Sequence, residues 1–63
     1  MISAITSVEY GIALADLQAG TPIFALEDRM AELAEREEYE ACAGIKMAID
    51  LYKKSIDNQS TII

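Results

Sequence analysis

The sequence predicts an all-α protein: an antiparallel helical hairpin with an extra N-terminal helix, pairing with a second copy into a helical bundle. Three observations carry this. Ile23, Leu26, Met30 and Leu33 recur at 3-4-3 spacing, and Cys42, Ile45, Ile49, Tyr52 and Ile56 at 3-4-3-4 spacing, each an apolar seam of the kind that packs helix on helix. Ala19-Gly20-Thr21-Pro22 punctuates the chain ahead of the first seam. Finally, the two seams are out of phase. The nine residue steps from Leu33 to Cys42 amount to about two and a half turns at ~100° per residue. In one straight helix they would lie on opposite faces, both exposed to water. A reversal between Glu37 and Tyr39 lets them face each other, although no proline, Asn-Gly or Asp-Gly marks a turn there.

Residues 3–18 form the expected first helix. Ile5, Val8, Ile12 and Ala15 make one stripe at 3-4-3 spacing, with Leu14 and Leu17 as a second apolar strip. Ser3 is placed to cap the start. Several β-branched residues and Gly11 weaken helix propensity here, so an extended segment over residues 2–6 is the alternative. Gly20 then suits the left-handed position that ends a helix, and Thr21 with Pro22 reads as an N-cap followed by proline at the first helical position. The hairpin helices are expected over residues 22–37 and 39–57, with Glu32–Arg36 and Asp50–Lys54 as supporting i,i+4 ion pairs and a frayed tail over residues 58–63.

At 63 residues the chain is one domain near the lower size limit for autonomous folding, where disulfides, a metal or a second subunit often supply stability. Cys42 is the one cysteine and there is no histidine. That leaves no internal disulfide and little basis for a metal, so oligomerisation, as a homodimer, is the expected device. A formal net charge of −6 opposes binding to nucleic acid or to anionic lipid. No basic region follows Met1, acidic residues interrupt the early apolar ones, and no run reaches the length of a membrane span; with an unpaired cysteine, this reads as cytoplasmic.

Leu26-Glu27, Met30, Leu33-Ala34, Tyr39-Glu40, Cys42-Ala43 and Ile49 together resemble the UVR motif of the nucleotide-excision-repair proteins, which also occurs in some Clp ATPases and their adaptors. The resemblance spans residues 26–49, about two fifths of the chain. The family's Arg-Asp pair is Lys46-Met47 here, and one of its apolar positions is Glu37. The resemblance implies a helix-loop-helix that associates with a like hairpin into a four-helix bundle, a docking device without chemistry of its own. It also implies a turn around Glu37-Glu38, where the phase of the seams independently places one.

The candidate site residues follow. The dimer or hairpin packing face is Ile23, Leu26, Met30, Leu33, Tyr39, Cys42, Ile45, Ile49, Tyr52 and Ile56. Glu32, Glu35, Glu37, Glu38 and Glu40 crowd the bend, either as a patch for a basic partner or as a plain solvated turn. Ala41, Cys42, Ala43, Gly44 and Ala48 are small enough to admit another helix closely, from this chain or a second one. Cys42 reads as core rather than reactive thiol, because no histidine or lysine adjoins it and Glu40 disfavours a thiolate. Without a histidine base, a nucleophile dyad or a phosphate loop, no catalytic or cofactor-binding residue is expected. The expected function is that of a small acidic protein–protein interaction module that docks on or regulates a larger protein machine. A phage- or plasmid-encoded acidic inhibitor occupying a nucleic-acid-binding or adaptor site, and a structural helical-bundle helper without enzymatic activity, are the alternatives.

Overall fold

The computed structural model describes the backbone of residues 3–60 and the side-chain environments of residues 3–56. It contains three helices, α1 (Ala4–Gln18), α2 (Ile23–Glu35) and α3 (Tyr39–Ser60), and no strand among the described residues. The molecule measures 43 × 25 × 16 Å. Both α1 and α2 pack on α3, and α1 makes much the larger contact.

Helix α1 begins as its sequence indicates. Ser3 sits in extended backbone and its Oγ accepts from the Thr6 N–H at 3.1 Å. Residues 4–6 are helical rather than extended, while Ile2 lies outside the described residues. The helix ends in a Schellman motif: the Gly20 N–H donates to the Leu17 carbonyl at 3.1 Å and the Thr21 N–H to the Asp16 carbonyl at 2.9 Å. Gly20 takes φ +105°, a left-handed conformation that glycine adopts without a Cβ clash. The start of α2 differs by one residue from the expected one. Thr21 belongs to the stop signal of α1 and does not cap the next helix; Pro22 (φ −68°, ψ 147°) occupies the cap position, without a side-chain cap, and the helix starts at Ile23.

The second stop is built the same way with an unlikely residue. The Glu37 N–H donates to the Ala34 carbonyl at 3.0 Å and the Glu38 N–H to the Leu33 carbonyl at 2.9 Å, again a Schellman pattern. Its left-handed position is filled by Glu37 at φ 61°. A turn thus separates α2 from α3 between the two seams. It escapes a search for turn residues because a glutamate stands where glycine is usual, at a conformational cost of about 1–2 kcal/mol. Helix α3 opens with the Cys42 N–H on the Glu38 carbonyl and continues to Ser60, beyond the point near residue 57 where fraying was expected. Residues 53–56 are all exposed.

The core consists of Ala13, Leu17, Leu26, Leu33, Ala41, Ile45, Ala48 and Ile49, with Leu17 and Ile45 the largest fully buried side chains. The α1 face that enters it is Thr6, Tyr10, Ala13 and Leu17, a 4-3-4 series in which Thr6 is buried and Tyr10 partly so. The stripe of Ile5, Val8, Ile12 and Ala15 is turned outward: Ile5, Val8 and Ile12 are 55%, 58% and 51% exposed, and Ala15 is exposed too. The cause lies in α3. A Cβ added to Gly44 would fall on the Thr6 carbonyl oxygen, 2.9 Å from the Tyr10 nitrogen and 3.0 Å from the Glu9 Cβ. The α1 backbone therefore rests directly on Gly44, between Ala41 and Ala48, and an approach this close admits Thr6 and Ala13 but not a row of isoleucines.

A hydroxyl relay fastens the same crossing. Thr6 Oγ1 donates to the Glu40 carbonyl at 2.8 Å. A hydroxyl has one proton, so in the 3.0 Å contact between Ser3 Oγ and Thr6 Oγ1 it is Ser3 that donates. The buried threonine is thus satisfied, as a buried polar group must be. On the other flank of α3, the Cys42 thiol donates to the Met30 carbonyl at 3.2 Å. Across the outside, Arg29 meets Glu9 at 3.4 Å and Lys46 meets Asp50 at 3.9 Å. Exposed pairs like these contribute little to stability, and the expected pairs Glu32–Arg36 and Asp50–Lys54 do not close.

Two glycines should respond oppositely to the same substitution. Gly44→Ala is expected to destabilise by about 1–3 kcal/mol through overpacking, against its helix propensity. Gly11→Ala, where an added Cβ meets nothing within 4 Å, should stabilise by up to about 1 kcal/mol. Urea denaturation of both reads this directly; equal shifts would mean that Gly44 is not a point of close contact. Separately, Glu37→Gly should raise stability by roughly 0.5–1 kcal/mol by relieving the left-handed backbone, whereas a loss of that size, as expected for glycine in an ordinary helix, would place the turn elsewhere.

Candidate interaction surface

Most of the predicted packing face is consumed inside the chain. Leu26, Leu33, Ile45 and Ile49 are buried, and Ile23, Met30, Cys42 and Tyr52 pack partly buried against them. The exceptions are Tyr39, 62% exposed, and Ile56, also exposed. Cys42 is a partly buried thiol donating to a main-chain carbonyl, a packing role. Gly44 meets the α1 backbone with Ala41 and Ala48 buried on the same face, whereas Cys42 turns to Met30 of α2 and Ala43 is exposed.

The large apolar side chains left outward include Phe24 on α2, Met47 and Leu51 on α3, and a row of three on α1. Ile5, Val8 and Ile12 follow one another along about 10 Å of helix, at ~1.5 Å per residue, each more than half exposed. Single exposed hydrophobics are ordinary, but a contiguous row marks an interaction surface. Hydrophobic periodicity singles out these three residues as one stripe and does not say which way it faces. Conversely, it passes over Thr6 and Ala13, although 6-10-13-17 is as regular a series; reading by hydrophobicity favours isoleucine and valine over threonine and alanine.

The five glutamates of the bend, Glu32, Glu35, Glu37, Glu38 and Glu40, are all exposed. They do not form one patch with a common neighbour. Glu37, Glu38 and Glu40 line an open groove together with Ile5, Tyr39 and Ala41, whereas Glu32 and Glu35 lie outside it. Glu40 also stands in the first turn of α3, where a carboxylate is favoured by the helix dipole. A second shallow groove is lined by Ala4, Ile5, Val8 and Glu9. Ile5 belongs to both grooves, so the α1 stripe and the acidic turn are one continuous surface.

Comparison with known protein families, with curated proteins and with solved structures finds no match to this chain. Its function is therefore argued from its own surface. Among the described residues no group of histidine, cysteine, aspartate or glutamate side chains could hold a metal ion, and no helix is long and apolar enough to cross a membrane. A further groove, between α2 and α3, is lined by Glu27, Met30, Lys46, Ile49, Asp50 and Lys53. It mixes both signs of charge, lies open to solvent, and brings together no nucleophile with a base.

Proposed function

We propose that this chain is a non-catalytic protein–protein interaction module, in which α2 and α3 form a helical hairpin braced by α1, and that a protein partner docks on the outer stripe of α1. The observation that supports this most is the row Ile5, Val8 and Ile12 on one helix, each over half exposed. Keeping such residues in water is unfavourable by about 25 cal/mol per Å² relative to covering them, and a partner recovers that energy. The resemblance of residues 26–49 to the UVR motif supports the same class of function, a docking element that recruits or regulates a larger protein machine. In this chain the residues of that resemblance largely pack within the domain, and of the apolar side chains left exposed the stripe is the row in which each of three residues is more than half exposed. A homodimer formed through the seam, the pairing that the resemblance suggests, would have to draw on Tyr39 and Ile56 or displace α1.

The test is affinity capture from extract of the native host with three proteins: wild type, the double variant Val8→Asp/Ile12→Asp, and Ala31→Asp as an exposed control on α2. The double variant is expected to melt near wild type, with a loss no larger than about 1–2 kcal/mol because both sites are surface positions. It should fail to retain a protein that wild type and Ala31→Asp both retain. Equal retention by all three would remove the stripe as the docking face.

A further inference from the structure

The surface that carries the proposed docking also has a polarity, and this says what kind of partner fits it. At its Ile5 end the apolar stripe runs into the groove lined by Glu37, Glu38, Tyr39 and Glu40. All the charged residues lining the two grooves that meet at Ile5 are acidic. Glu9 is held by Arg29 at 3.4 Å, which leaves the three turn glutamates as the uncompensated charges of the surface. Arg36 shares the turn but does not line the groove. Helix α1 itself carries Glu9 and Asp16 and no basic residue.

We propose that the occupant is a basic amphipathic helix: its apolar residues lie along Ile5, Val8 and Ile12, and its arginines or lysines, gathered at one end, rest on Glu37, Glu38 and Glu40. This rests on the reading of the α1 stripe as the docking face. A straight row of residues over two helical turns is matched by the i, i+3 or i+4, i+7 ridge of another helix. The acids at one end select the sign of the partner's charge, fix its direction, and speed encounter. Tyr39, 62% exposed beside them, offers a ring face on which a guanidinium can stack. A second copy of this chain fits poorly, because a self-complementary contact places the same surface on both sides, and neither α1 nor the lining of the two grooves offers a basic residue to meet the partner copy's glutamates.

The experiment is selection of a displayed library of helical peptides on the folded protein, followed by binding measurements on synthetic versions of the enriched peptides. The expected peptides are net basic with apolar residues at helical spacing, and they perturb the amide resonances of residues 4–12 and 37–41. Val8→Asp should abolish their binding. Glu38→Lys/Glu40→Lys should weaken it at least about tenfold, a change of ~1.4 kcal/mol, and should flatten its dependence on salt, since exposed charges are screened within ~10 Å at 0.1 M. Neutral or acidic enriched peptides, or no enrichment, would overturn the inference. If Val8→Asp abolishes binding while the glutamate variant leaves it unchanged, the docking face stands and the basic partner falls; if neither changes it, both fall. Sedimentation as a dimer that Val8→Asp dissociates would make a second copy the occupant and would likewise overturn it.

Discussion

The approach of two helix backbones at Gly44 is the constraint around which the rest of the chain is arranged. Because that position has no Cβ, the Thr6 carbonyl and the Tyr10 nitrogen of α1 can reach the surface of α3. Only at this separation does the Thr6 hydroxyl span to the Glu40 carbonyl at 2.8 Å. The small residues Ala13, Ala41 and Ala48 are buried to 2%, 4% and 0% exposure at the same contact; they bring little apolar area each and contribute through dispersion between closely fitted surfaces. Larger side chains complete the core: Leu17 of α1, Leu26 and Leu33 of α2, and Ile45 and Ile49 of α3.

The exposed stripe is a consequence of that choice. A helix can set one face on α3, and with Thr6, Tyr10, Ala13 and Leu17 inward, Ile5, Val8 and Ile12 are turned away. A chain selected only to bury its largest apolar residues would have rotated α1 the other way. It could not do so here and still approach Gly44. The domain thus gains a close, hydrogen-bonded helix crossing and keeps a row of branched aliphatic side chains on its surface, contiguous with the acidic turn. Structure and proposed function come from the same contact.

Much of this was legible in the residues. The number of helices, the stop at Gly20, the cap at Ser3 and the helix break near Glu37 all follow from periodicity and local chemistry. Which side of α1 turns inward does not, because its sequence offers two regular series and the decisive fact, a missing Cβ more than thirty residues away in sequence, is tertiary. Glu37 was hidden for a different reason: its left-handed φ of 61° is imposed by the two Schellman bonds and the seam phases, with no local preference to announce it. The start of α2 lies one residue later than Thr21 and Pro22 suggest, because Pro22 is extended (ψ 147°) and stands at the cap position ahead of Ile23. For the surface, the glutamates and the stripe were each visible in the sequence; that Ile5 joins them is visible only in three dimensions.

The central claim is that α1 lies on α3 through Gly44, with Thr6 inward and Val8 outward. Nuclear Overhauser contacts in a uniformly labelled sample test it most directly. The account predicts strong contacts from the Gly44 α-protons to the Tyr10 amide and the Glu9 β-protons, and none from the Val8 methyls to α3. Val8 or Ile12 methyl contacts to Gly44 or Ala48, with the Thr6 methyl free of α3, would contradict it.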